Sequence, residues 1–266
     1  MKPILITIAV LFFVSCSNVP LTGRKQFVAI PSSEINSLSQ DNYQMMKDSI
    51  GVSHNTRYNT LEESAGHRIT SAVERYLDEN GLESRIQGYK WQYVVLKSDK
   101  VNAWCMPGGL IGFYEGIFPV CEDENGVAVV MSHEIAHAVA HHGNERMSQQ
   151  LLINMGGVAL SEALKTKKKT TRQLAMVAFG VGSQLGVMLP YSRLHEEEAD
   201  ELGLYFMAMA GYDPRKAPAF WQRMLDLNEA RPPEFLSTHP DPENRIRDLE
   251  KHMDKAMEYY RTSGGL

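Results

Sequence analysis

The stretch Met131–His142, M-S-H-E-I-A-H-A-V-A-H-H, sets a few polar residues among Val, Ala, Ile and Met. A helix that is apolar on all sides belongs in a core. Its polar side chains are therefore carried into the interior and need partners there. Upstream, the pattern predicts a helix over 35–49, started by Pro31-Ser32-Ser33-Glu34. A second runs over 61–80, with Ile69, Ala72, Val73, Tyr76 and Leu77 at helical spacing and Asn80-Gly81 as its stop. The texture changes at 89–97, where Trp91, Tyr93, Val94, Val95 and Leu96 predict a strand. Another extended piece follows over 101–114, with Pro107-Gly108-Gly109 as a turn or a bend in an edge strand.

Asp123-Glu124-Asn125 caps the start of the apolar helix, and Gly143 is its expected end or kink. Apolar arms at 151–164 and 174–189, separated by a lysine-rich turn at 165–169, predict a helical hairpin over 150–190. Neither arm reaches the ~20 residues of a spanning helix. The hairpin is therefore expected to pack on the domain, with its lysines within reach of lipid headgroups. An acidic run at 195–201 opens another helix, ended by Gly211, and further helices are expected over 216–229 and 242–260. The fold class that results is α+β, mainly α-helical, with a small sheet packed on the central helix.

Within that helix, His133-Glu134-x-x-His137 places two imidazoles four residues apart, on one face, where both reach a single metal ion. Glu134 lies off that face but close enough to take a proton from a water that the metal has activated. A catalytic zinc site uses three protein ligands and one open position. The metzincin spacing is excluded because the tenth residue after His133 is Gly143. His141 drifts from the pair, and His142 drifts further. The acidic run is the better source. Glu196 and Asp200 share a helical face, so one can bind the metal while the other holds a nearby helix or a ligand imidazole N–H. Glu197, Glu198 and Glu201 are expected to serve the helix dipole, and His195 to stand at the rim.

Composition narrows the class. The 266 residues carry a net charge of −5, which excludes nucleic acid as a partner. Lys2 followed by an apolar run at 4–14 and Val14-Ser15-Cys16 reads as a signal peptide over 1–15. A small residue before Cys16 is similar to a bacterial lipobox, which makes Cys16 a lipidated N-terminus and 16–31 its polar tether. The remaining 32–266 form one domain. Cys105 and Cys121 lack metal-site spacing.

The His-Glu-x-x-His motif, followed by Ser192-Arg193-x-x-Glu196-x-x-Ala199-Asp200-x-x-Gly203, resembles the HtpX / CAAX-prenyl-protease family of zinc metallopeptidases. Within that family it is similar to envelope lipoproteins of the LoiP/BepA type. Residues 19–26 (V-P-L-T-G-R-K-Q), Asn102-Ala103 with Pro107-Gly108-Gly109, and Ser237-Thr238-His239-Pro240 with Arg245 fit the same pattern. The resemblance implies a zincin-like domain binding one Zn²⁺ through His133, His137 and Glu196, with Glu134 catalytic and Asp200 and Arg193 behind the ligands. It implies a substrate strand lined by Asn102, Ala103, Pro107, Gly108 and Gly109. His239 would lie near the zinc, stabilising an oxyanion or capping the metal at rest. The implied function is hydrolysis of unfolded or misassembled envelope proteins, on the periplasmic face of the outer membrane. The competing reading is a zinc-stabilised, chaperone-like binding module, to which Glu134 would be dispensable.

Overall fold

In a computed structural model that describes residues 16–230, 233–239 and 242–264, the chain begins with two short strands, β1 (Cys16–Asn18) and β2 (Lys25–Phe27), paired antiparallel. Helices α1 (Ser32–Ile50) and α2 (Thr56–Glu79) follow, then strands β3 (Gln92–Leu96), β4 (Ala103–Met106) and β5 (Leu110–Tyr114). A short helix α3 (Phe118–Cys121) leads into the central helix α4 (Glu124–Val139), which is followed by α5 (His142–Ala163) and α6 (Lys169–Ser183). A π-helical turn, Gln184–Met188, joins α6 to α7 (Leu189–Met209). Helices α8 (Ala217–Ala230), α9 (Glu234–Thr238) and α10 (Pro242–Thr262) complete the domain. The expected signal peptide and the Cys16 side chain lie outside the described residues.

The central helix α4 starts where the sequence predicts, with the Asp123 carboxylate accepting from the Gly126 N–H at 3.0 Å. Every residue from Gly126 to Val139 is buried, as an all-round apolar helix requires. Helix α7 lies against it along most of its length, α2 covers another side, and the sheet packs alongside through β4. The sheet order is β3-β5-β4, with β3 parallel and β4 antiparallel to β5. The middle strand β5 is buried at all five positions, whereas β4 is an edge strand. Gly203 permits the close approach of α7 to α4, since a Cβ there would stand 3.0 Å from the backbone N and Cα of His133.

Three local expectations are corrected. The break after α4 comes at His141, not Gly143. His141 takes left-handed backbone angles (φ 58°, ψ 30°), an arrangement ordinarily left to glycine. It is held there by its ring Nε2, 2.7 Å from the Arg85 carbonyl.

The 16–31 segment, expected as a tether, is built into the fold. Val19 and Gln26 are buried, and the Gln26 amide donates to the Ala140 carbonyl at 2.7 Å. Arg24 reaches inward to bridge Glu145 on α5 and Glu198 on α7, at 2.7 and 2.8 Å.

The 150–190 hairpin forms, but it does not pack on the domain. Helix α6 has no buried residue, and Val158, Leu174, Val177 and Leu185 each expose more than half of their surface. Its apolar residues face outward because no other element of the described chain covers them. The helical run Lys169–Met209 contains an 18-residue window of mean hydropathy 1.4, none of it buried, long and apolar enough to cross a membrane.

Two predictions follow from this packing. Gly203→Val forces α7 from α4 and is expected to destabilise the protein by roughly 1–3 kcal/mol, as overpacking does; an unchanged melting temperature would refute the close-contact argument. The second concerns Glu145. Burial alone would raise its carboxyl, but hydrogen bonds from His195 and Arg24 outweigh burial and hold it at about 2. A carboxyl depressed below its ordinary 4.5 stabilises the fold above that pH, and the stabilisation is lost as pH falls through the folded value. Urea unfolding of metal-free protein should therefore lose stability between pH 4.5 and 2 more steeply in wild type than in Glu145→Gln. Parallel curves would mean the bridge carries no pH dependence.

Candidate metal centre

His133 and His137 project from one face of α4, and Glu196 meets them from α7, as helical spacing predicts. His239, just after α9, closes the group. One ligand atom from each of the four lies within 4.8 Å of all the others, and all four residues are buried. The Nε2 atoms of His133 and His137 are 3.1 Å apart. Nδ1 of His239 stands 3.2 Å from His133 Nε2 and 2.9 Å from Glu196 Oε2. The Glu196 oxygens lie 3.4 Å from each α4 imidazole. The edge of a tetrahedron around zinc with bonds of 2.0–2.1 Å is about 3.3 Å, so these separations suit a tetrahedral ion. The charges agree. Glu134, Glu196 and Asp200 bring three buried carboxylates against one buried guanidinium, Arg245, an excess that a divalent cation neutralises.

The surrounding groups fix the ligands. Arg245 donates to Asp200 Oδ2 through Nε at 2.5 Å and to Glu196 Oε2 through Nη2 at 2.7 Å, with its guanidinium 3.9 Å over the Trp221 ring. Asp200 Oδ1 lies 2.9 Å from His133 Nδ1, within ion-pair reach although the ring N–H is not aligned for a hydrogen bond. Burial would lower the His133 imidazole, yet Asp200 and Glu196 raise it to about 9. The Glu196 carboxyl, which burial would raise, is held well below its usual range by His137 and His239. Burial pushes His137 well down, keeping its ring neutral and able to donate a lone pair.

Glu134 is 3% exposed and burial raises its carboxyl, partly offset by His239 and His133. The Cys105 backbone of edge strand β4 lies beside it and adds a smaller lowering influence, and His239 Nε2 lies 3.3 Å from Oε1. One ring of His239 thus touches the ligand set through Nδ1 and the Glu134 carboxylate through Nε2.

The remaining expected residues are distributed as follows. Asn102 and Ala103 lead into β4; the Asn102 amide donates to Glu234 Oε1 at 3.1 Å, while its Oδ1 accepts from the Ala103 N–H at 2.9 Å. Pro107-Gly108-Gly109 forms the turn between β4 and β5, where the Gly108 and Gly109 carbonyls accept from the N–H groups of Lys90 and Gln92. Gly109, at φ 82°, sits against Trp91, which a Cβ would meet at 2.9 Å. Arg193 is exposed and makes no hydrogen bond or ion pair with the ligands among the described residues; the arginine in contact with the ligand set is Arg245. Cys105 and Cys121 are free thiols.

Sequence reasoning missed two residues assigned to the rim or the helix dipole. His195 is 2% exposed and bonded to Glu145 at 2.9 Å, and Glu198 is 5% exposed and bonded to His142 at 2.9 Å. Their spacing of three residues, one helical face, was the available signal.

The model of peptidase family M48 matches residues 63–253, which take in all four donors. The chain is 30% identical over 257 residues to mitochondrial metalloendopeptidase OMA1 of Schizosaccharomyces pombe, covering 96% of this chain and 71% of that protein. Human OMA1 is 28% identical over 260 residues, 93% of this chain and 48% of that one. The β-barrel assembly-enhancing protease of Escherichia coli K12 is 29% identical over 163 residues, 59% of this chain and 33% of that one. The chain thus spans about half or less of the latter two relatives. Since the family match runs over most of the chain and its whole donor cluster, this chain belongs to peptidase family M48 and is a metalloendopeptidase.

Proposed function

We propose that the protein is a zinc-dependent endopeptidase of the bacterial cell envelope, acting on unfolded or misassembled envelope proteins. The observation that carries this reading is the placement of Glu134 between the donor cluster and the free edge of β4. An extended peptide can add to such an edge through main-chain hydrogen bonds, which brings a scissile carbonyl over Glu134. An extended segment of this kind is what an unfolded chain offers and a folded one withholds.

His133, His137 and Glu196 hold the zinc, and Asp200 and Arg245 brace them. Zinc, when bound, supplies a Lewis acid that polarises the scissile carbonyl and acidifies water. Glu134 takes the proton of the attacking water and returns it to the leaving amine nitrogen. Its raised carboxyl and buried setting suit both transfers. His239 fills the fourth donor corner and pairs with Glu134, so we read the arrangement as a resting state that substrate must open. The envelope reading is supported by the signal-like N-terminus with Cys16, by the exposed apolar hairpin with its lysine turn, and by the relative named for β-barrel assembly.

Zinc content and cleavage of an unfolded model protein, compared between wild type and Glu134→Gln, test the core of the proposal. Zinc should remain in both, with cleavage falling by about 10²–10⁴-fold in the variant, the usual contribution of a general base. Equal cleavage would remove Glu134 from the chemistry, and zinc without cleavage in either would favour the binding-module reading. For His239, the resting-state assignment predicts that His239→Ala cleaves a short peptide faster than wild type. A loss on the order of 10²–10³-fold would instead identify an oxyanion donor.

A further inference from the structure

His142 is fully buried, yet it is not one of the four donors. It stands five residues after His137, which on an unbroken helix would put the two rings about 140° apart. The left-handed backbone at His141 ends α4 and restarts the chain as α5, returning the His142 ring to His137. Nδ1 of His142 is 2.8 Å from Nδ1 of His137, and Nε2 of His142 is 2.9 Å from Glu198 Oε2. Glu198 also accepts from Arg24 Nε at 2.9 Å and from the Thr22 hydroxyl. His195 stacks on the His142 ring with centroids 4.2 Å apart and planes at 12°, and is itself fixed by Glu145, which Arg24 holds through both terminal nitrogens.

These contacts determine where the hydrogens sit. A carboxylate held by arginine accepts, so Nε2 of His142 carries the hydrogen and its Nδ1 holds a lone pair. That lone pair accepts the Nδ1–H of His137. Nε2 of His137 is then left with its lone pair facing the donor cluster, which is the form a metal requires.

We propose that His142 is a positioning residue for the metal ligand His137, and that Glu198 and Arg24 set its tautomer. Resting on the metallopeptidase reading, the inference extends it. His133 is backed directly by Asp200. His137 is backed through an imidazole, by a carboxylate whose arginine comes from the N-terminal hairpin. The segment following Cys16 is therefore part of the metal site's support.

The test is zinc affinity of the full chain, measured by competition with a chromophoric chelator, for wild type, His142→Asn, His142→Gln and His142→Leu. Asparagine places an amide where Nδ1 stands and can still accept from His137, whereas glutamine reaches only the Nε2 end. Glutamine and leucine should weaken zinc binding by roughly 10–100-fold, as loss of such a partner does elsewhere, with asparagine retaining more. Equal affinities in all four, with metal-free melting temperatures unchanged, would overturn the proposal, as would asparagine performing no better than glutamine. A second measurement needs no variant: ¹⁵N-histidine spectra of the wild type should give His142 as the neutral Nε2–H tautomer, and an Nδ1–H tautomer would overturn it. Wild type that binds no zinc would fell the metallopeptidase reading itself, and this relay with it.

Discussion

The constraint on which the domain depends is the gathering of three imidazole nitrogens and a carboxylate within 4.8 Å inside a protein core. Lone pairs crowded this closely repel one another, and desolvation penalises the ionised members. Such a cluster persists only if its positive complement is supplied and its backbone cannot relax. The guanidinium of Arg245 supplies part of the complement, and a bound metal ion would supply the rest. The rigidity comes from burying α4 on all sides and from the α4–α7 contact at Gly203, where a Cβ would be crowded to 3.0 Å from the His133 backbone. Stability and function therefore draw on the same contact.

Much of this was legible in the sequence because it rests on short-range periodicity. The four-residue spacings of His133 with His137 and of Glu196 with Asp200 are helix geometry, and both pairs converge in the structure. The edge strand at 103–106 was legible from its composition and the Pro-Gly-Gly turn. What sequence did not reveal depends on long-range partners or on a single backbone angle. Nothing local marks His141 as left-handed, and without that break His142 points away from His137. Arg24 was part of a recognised motif, but its partners lie 121 and 174 residues further on. The resemblance took in both Arg193 and Arg245 but put only Arg193 behind the ligands, whereas α10 brings Arg245 there in space.

The hairpin failed differently. Its helices were read correctly and its burial was not, because apolar periodicity reports that a face needs cover without naming what covers it. Lysines at the turn and uncovered leucines and valines along the arms leave the cover to something outside the described residues.

The density of charge in H-E-E-E-A-D-E follows from α7 being enclosed on two sides at one level. Glu196 and Asp200, four apart, face α4 and the donor cluster. His195 and Glu198, three apart, face the other way, and in an ordinary two-layer helix that direction would be solvent. Here it is filled by the start of α5 and by the β1–β2 hairpin, so a second buried polar cluster forms behind the first. Only Glu197 and Glu201 are left for the outer surface; Glu197 is exposed, and Glu201 pairs with Tyr205 and His252. A charged helix start of the ordinary kind would tolerate exchange among its acidic residues. This one commits Glu196 and Asp200 to Arg245 and the donor cluster and Glu198 to His142 and Arg24, so the run encodes three faces of one helix and not a generic negative charge.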